Sequence, residues 1–402
     1  MKNIKRTDYI KKIEPFIGKQ IIKVLTGQRR VGKSYILLQI LNFIKERIES
    51  PNIIYINMEL EEFLTIKNHR DLLDYVNLKL NLSSQNFLFI DEIQEIESFQ
   101  LAIRSLFADN KCEIFCTGSN AKLLSGELAT ELGGRYIEFR IHSLSYKEFL
   151  AFHAFENSDE NLVKYLKYGG MPFLINLDFE NSFDYLQSIY STILLKDVVS
   201  RENIRNVSYL ENLVKYIADN VGNLFSSNNI SKFLKSQNVN ISPQQTLNYL
   251  KALCNAFFIH KCSRTEIGGL KIFEIGEKYY FEDIGLRNAI LGFSFQTDIH
   301  KLIENVIAIQ LLRNNYTVYV GKLENKEIDF VAEKNGIKIY IQVCLTISDT
   351  QTRLREFGNL LMINDNYSKY VITYNDIILG DDYKGIKQMN LKEFLYNESL
   401  YY

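Results

Sequence analysis

The sequence predicts an α/β chain, with a parallel sheet toward its N-terminal end and helical and mixed modules after it. Three observations carry that prediction. From residue 20 to 150, short apolar runs alternate with stretches of helical periodicity, the pattern of buried strands joined by crossover helices. Gly27-Gln28-Arg29-Arg30-Val31-Gly32-Lys33-Ser34 matches G-x-x-x-x-G-K-[ST] at every fixed position. Further on, the apolar run Phe87-Leu88-Phe89-Ile90 leads straight into Asp91-Glu92.

Ile21, Ile22, Val24 and Leu25 read as the first strand, and Ile36, Leu37, Ile40, Leu41 and Ile44 place a helix after it. The glycine-bearing loop therefore joins strand to helix, where backbone N–H groups and the helix N-terminus enclose phosphates. Lys33 is the candidate ligand of the β- and γ-phosphates and Ser34 of Mg²⁺. Gly27, Gln28, Arg29, Arg30, Val31, Gly32 and Tyr35 complete the expected nucleotide contact. Ile53–Ile56, Phe87–Ile90, Cys112–Cys116 and Tyr136–Phe139 read as strands two to five. The third strand would carry Asp91 to the sheet's C-terminal edge, beside the phosphate loop, to orient the Mg²⁺ shell. Glu92 would polarise the attacking water. The fourth ends in Thr117-Gly118-Ser119-Asn120, where Ser119 or Asn120 would face the γ-phosphate. Arg135, just before the fifth, is either a surface arginine or a finger for a neighbouring subunit's nucleotide; the second reading implies a homo-oligomer. Asn325-Lys326-Glu327-Ile328 departs from the guanine-reading N-K-x-D at its last position, so ATP is expected rather than GTP.

At 402 residues the chain has room for two to four domains. Its 47 basic and 48 acidic side chains nearly cancel, so no overall field favours nucleic acid, although a local basic face stays open. No run of about 18 apolar residues suggests a membrane span. The charged start Met1-Lys2-Asn3-Ile4-Lys5-Arg6 lacks a following apolar stretch, and a cytoplasmic protein is expected. The five cysteines and five histidines lack metal-ligand spacing.

Residues 160–200 are helical by pattern. Asn229–Gln237 reads as a short amphipathic helix, and Ser242-Pro243 starts another, with Ser242 as N-cap and Pro243 at the first helical position. Phe257–Lys261 and Ile272–Tyr280 then read as a hairpin around Ile267-Gly268-Gly269, completing a winged helix-turn-helix order. Gln244, Gln245, Asn248 and Lys251 would form the exposed face of its second helix, either touching DNA or merely solvated.

The tail places Glu304 on an amphipathic helix and Asp329 on a strand, and a third element reads Gln342-Val343-Cys344. That order resembles the PD-(D/E)xK nuclease core, with Gln342 and Cys344 standing where a carboxylate and a lysine belong. Lys338 lies on the same strand face, four residues before Gln342 and about 13 Å away by strand rise, too far for a simple swap. Without the lysine, nuclease activity is not expected, since metal catalysis needs its full set of groups.

Gly27–Ser34, the Asp91-Glu92-Ile93-Gln94 box, Thr117–Asn120, Gly133-Gly134-Arg135-Tyr136, Leu144–Leu150 and Gly169-Gly170-Met171-Pro172 resemble the AAA+ ATPases of the AAA_14/DUF4143 family. The resemblance spans nearly the whole chain. It implies an AAA+ ATPase core at 1–150, a helical lid at 151–200, a winged helix at 201–293 and a degenerate nuclease-like domain at 294–402. In that frame Asn120 senses the γ-phosphate. The expected activity is Mg²⁺-dependent ATP hydrolysis coupled to domain motion, with DNA as candidate partner. A signalling switch acting on a partner protein and an ATP-gated nuclease are the alternatives.

Overall fold

Every residue of β1, Ile22–Thr26, is buried, as befits a strand with neighbours on both sides and helices over both faces. In the computed structural model, which describes residues 4–121, 132–236, 241–269, 272–347, 350–375 and 382–397, this strand belongs to the first of two compact units. Unit one comprises Met1–His142 with Asn255–Phe257, and unit two Ser143–Cys254 with Phe258–Tyr402.

Unit one is built on a five-stranded parallel sheet. β1 is joined by β2 (Asn52–Asn57), β3 (Asn86–Asp91), β4 (Glu113–Gly118) and β5 (Tyr136–Arg140), in the order β2-β3-β4-β1-β5. Helices α1 (Thr7–Ile13), α2 (Lys33–Arg47), α3 (His69–Lys79) and α4 (Phe99–Asp109) accompany the strands. Ile22, Val24, Ile54, Ile56, Leu88 and Ile90 from the strands join Leu72, Val76, Ile103 and Leu106 from the helices in one core. The start of α3 is fixed reciprocally: the Asn68 side chain accepts from the N–H groups of Arg70 and Asp71, and the Asp71 carboxylate accepts from the Asn68 N–H. A lysine inside β1 is accommodated the same way. The buried Lys23 ammonium pairs with Glu113 of β4 and donates to the Lys19 carbonyl at 2.9 Å.

Unit two contains a second, mixed sheet of eight strands. β6 (Ile259–Glu266) and β7 (Ile272–Phe281) form an antiparallel hairpin. β8 (Thr317–Leu323), β9 (Lys326–Lys334), β10 (Ile337–Cys344), β11 (Ser368–Thr373), β12 (Asp382–Tyr383) and β13 (Ile386–Asn390) complete the order β12-β13-β11-β10-β9-β8-β6-β7. The hairpin is thus continuous with the tail strands, through parallel pairing of β6 with β8. β7 is an edge, and its backbone groups at Phe281 and Glu277 find partners outside the sheet. The Asn305 side chain, on helix Phe295–Arg313, accepts from Phe281 N at 2.7 Å and donates to Phe281 O at 2.8 Å. Phe225 makes the matching backbone pair with Glu277. Edges left open invite pairing with other chains.

The remaining helices of this unit include Asp159–Tyr168, Ser182–Thr192, Val207–Asp219, Ser227–Ser236 and Pro243–Asn255. Ser242 begins the last of them by accepting from Gln245 N, and Gln245 answers by accepting from Ser242 N. Gln237, expected at the end of the helix before it, lies outside the described residues. The Gly169-Gly170 pair has a steric reason. A Cβ on Gly170 would lie 2.3 Å from the Leu144 carbonyl oxygen. Gly170 N donates to the Asp283 carboxylate at 2.7 Å, and its carbonyl accepts from Leu144 N. Among the described residues no helix is long and apolar enough to cross a membrane.

Candidate functional site

Between β1 and α2 the chain makes a tight loop that glycine alone permits. Gly27 has φ +146°, and a Cβ there would sit 2.1 Å from the Ile141 carbonyl oxygen. Gly32, at φ 97° and ψ 23°, lies in the left-handed region and sets the first turn of α2. Lys33, almost wholly buried, donates from Nζ to the Gln28 carbonyl at 3.1 Å. The same ammonium is 3.7 Å from Glu92 Oε1. Gln28 is fully buried, and neither polar atom of its side chain finds a partner, an arrangement that costs free energy unless something else supplies the bonds. Val31 is buried and Arg30 exposed at φ 69°. Arg29 is mostly buried, with Nη1 3.8 Å from Glu59, whereas Tyr35 is half exposed.

The two carboxylates arrive from β3. Strand β4 lies between β1 and β3, so Asp91 stands one strand further from the loop than adjacency would place it. It nevertheless accepts a hydrogen bond from Ser34, and its Oδ1 accepts from Thr117 Oγ1 at 2.5 Å. Burial raises the Asp91 pKa, and those two hydroxyls and Lys33 offset part of the rise. Glu92 sits at φ 56°, ψ 52°, a conformation uncommon outside glycine. Its N–H donates to Thr117 Oγ1 at 2.9 Å, so one hydroxyl holds both acidic residues. The Glu92 carboxylate accepts from Ser119 Oγ at 3.1 Å and from Gln94 Nε2. Burial alone would raise its pKa, but Lys33, Gln94, Arg29 and Ser119 together lower it, leaving a charged base beside the loop.

Lys33, Ser34, Asp91 and Glu92 are therefore brought together, and Ser119 with them. Asn120, the next residue after Ser119, is also buried. Arg135 is elsewhere. It precedes β5, whose Tyr136 pairs with Ile22 at the start of β1, so it is separated from the phosphate loop by the length of that strand, about 16 Å. Its guanidinium lies 5.7 Å from the Phe107 ring centroid. Two contributors escaped the sequence reading, Thr117 and Gln94. Both lay inside stretches the reading singled out, yet nothing local shows that their side chains meet the acidic pair. Glu304, Asp329 and Gln342 lie in unit two, around the mixed sheet.

An AAA domain, AAA_14, matches residues 19–150. An uncharacterised protein of Haemophilus influenzae is 38% identical over 378 residues, covering 92% of this chain and 93% of its own length. The chain belongs to this AAA-domain family. Another relative, an uncharacterised protein of Methanocaldococcus jannaschii, is 32% identical over 375 residues, covering 88% of this AAA protein and 82% of its own chain. Residues 159–297 match DUF8612, a domain of unknown function, in the part for which a DUF4143 likeness was expected. Among solved structures, the Walker-type ATPase of Pyrococcus abyssi aligns with 71% of this AAA protein and 95% of its own chain, at 18% identity and a TM-score of 0.49.

Proposed function

We propose that this AAA protein binds MgATP on the Gly27–Ser34 loop and hydrolyses it, with turnover coupled to movement of the elements that follow the parallel sheet. The observation that carries the reading is the convergence of Lys33, Ser34, Asp91 and Glu92 at one end of that sheet. The Lys33 ammonium now rests between the Gln28 carbonyl and Glu92, and it is the cation for the β- and γ-phosphates. The Ser34 hydroxyl and Asp91 carboxylate already touch, and this pair would hold Mg²⁺. When bound, the ion neutralises charge on the transferring phosphoryl group. Glu92, ionised and held by Ser119 and Gln94, orients the attacking water, while Asn120 at the tip of β4 senses the γ-phosphate.

DNA is the proposed partner. Gln244, Gln245, Asn248 and Lys251 are exposed along helix Pro243–Asn255, a face suited to a groove or backbone contact. Arg135, exposed and remote from its own loop, would act on the nucleotide of a second copy, which makes a homo-oligomer part of this reading.

ATP turnover of the purified chain, with and without single-stranded and duplex DNA, tests the proposal. Glu92→Gln should keep MgATP binding and lose about 10²–10⁴-fold in turnover, while Lys33→Ala should lose binding heat in a calorimetric titration. Wild-type turnover in Glu92→Gln, or equal heats for Lys33→Ala and wild type, would refute it.

A further inference from the structure

Away from the nucleotide loop, unit two holds a buried lysine ringed by carboxylates. Lys278 of β7 is 2% exposed, and its Nζ lies 2.9 Å from Glu327 Oε1, 3.3 Å from Glu304 Oε2 and 3.9 Å from Asp329 Oδ1. Those acids come from separate elements, Glu304 from helix Phe295–Arg313 and the other two from β9. Tyr280, two residues along the same face of β7, donates to Glu304 Oε2 at 3.1 Å. The second oxygen of Asp329 accepts from Val343 N at 2.8 Å. Backbone closes in on the group as well, since a Cβ on Gly222 would meet Glu304 Oε2 at 2.7 Å.

Oxygen is in surplus here. Three carboxylates face one ammonium, and Gln342 adds a fourth acceptor. The β9–β10 register sets Ile341 against Phe330, which puts Gln342 beside Asp329 on the same face. Gln342 is 8% exposed and its Oε1 has no partner. Burial and the nearby Glu304 charge push the Asp329 pKa up to about 8. Burial works against the charge on Lys278 too, but the surrounding acids keep it protonated.

We propose that Lys278 is the resident cation of this cluster: its ammonium stands where a divalent ion would otherwise gather Glu304, Glu327, Asp329 and Gln342. A hard divalent ion needs several oxygens around one point, and Nζ occupies the point these acids share. The tail consequently holds its acids together without metal, and removing the ammonium uncovers a divalent-cation site. This inference is independent of the nucleotide reading.

Mn²⁺ titration of the full-length, nucleotide-free chain provides the test, by calorimetry and by thermal unfolding. Wild type and Asp329→Asn should bind Mn²⁺ alike, showing no site that depends on Asp329. Lys278→Ala should gain one Mn²⁺ equivalent and a higher unfolding midpoint in its presence, and Lys278→Ala/Asp329→Asn should lose both. Wild-type Mn²⁺ binding that disappears in Asp329→Asn would overturn the proposal, as would a folded Lys278→Ala chain that gains nothing. If Lys278→Ala fails to fold without the ion, recovery on adding Mn²⁺ supports the proposal and no recovery counts against it. The wild-type comparison decides independently of that variant.

Discussion

Thr117 shows how much one hydroxyl can organise. It donates to Asp91 and accepts from the N–H of Glu92, so it fixes the first acid's orientation and the second's unusual backbone together. Thr117→Val keeps the shape of the side chain and removes both bonds. A buried donor or acceptor left unmade costs about 1–3 kcal/mol, so urea unfolding should show a loss in that range, with ATP turnover falling alongside it. Thr117→Ser, which restores a hydroxyl, should recover most of both. Lys33, Ser34, Asp91 and Glu92 could be found from sequence because each belongs to a contiguous pattern. Thr117 could not be, because its role comes from register: Ile90 pairs with Cys116, which sets Asp91 against the next residue of β4. Lys278 was hidden for the same reason. The tail pattern asks for a lysine two residues after Gln342, and the ammonium instead comes from β7, more than sixty residues earlier.

Elements were easier to read than their partners. The five parallel strands follow from apolar runs of the right length, and the β6–β7 hairpin from the Ile267-Gly268-Gly269 turn. No local feature announces that β6 also pairs in parallel with β8 and so joins the hairpin to the tail sheet. The Gly169-Gly170 pair is the converse, visible in sequence but mute about its cause. Its second glycine lies against the Leu144 backbone so closely that a methyl group cannot enter. Gly170→Ala should therefore destabilise by overpacking, about 1–3 kcal/mol, measured as a lower urea midpoint with an unchanged slope. If the midpoint holds, the close approach of these two segments is not needed for stability.

At the scale of the whole molecule, 47 basic against 48 acidic side chains leave little net charge to drive unfolding with pH near neutrality. Individual buried acids matter more. Asp283 receives N–H bonds from Gly170, Leu286 and Gly285, yet burial, aided by the neighbouring Glu282, still raises its pKa to about 6 from 3.8. With the folded value above the unfolded one, the native state binds the extra proton between these limits. Stability from this group is therefore greatest below about pH 4, declines as pH rises through 6, and is level beyond. The span of roughly two units corresponds to at most about 3 kcal/mol. Asp283→Asn cannot titrate, and its cost in lost backbone bonds does not vary with pH. Unfolding free energies of wild type minus Asp283→Asn, measured by urea from pH 4 to 8, should fall across pH 4–6 and then flatten. A difference that stays constant over that window would mean the Asp283 carboxyl ionises as it does in water despite its burial, and one that rises would mean its folded pKa lies below the unfolded value; either result refutes the expectation.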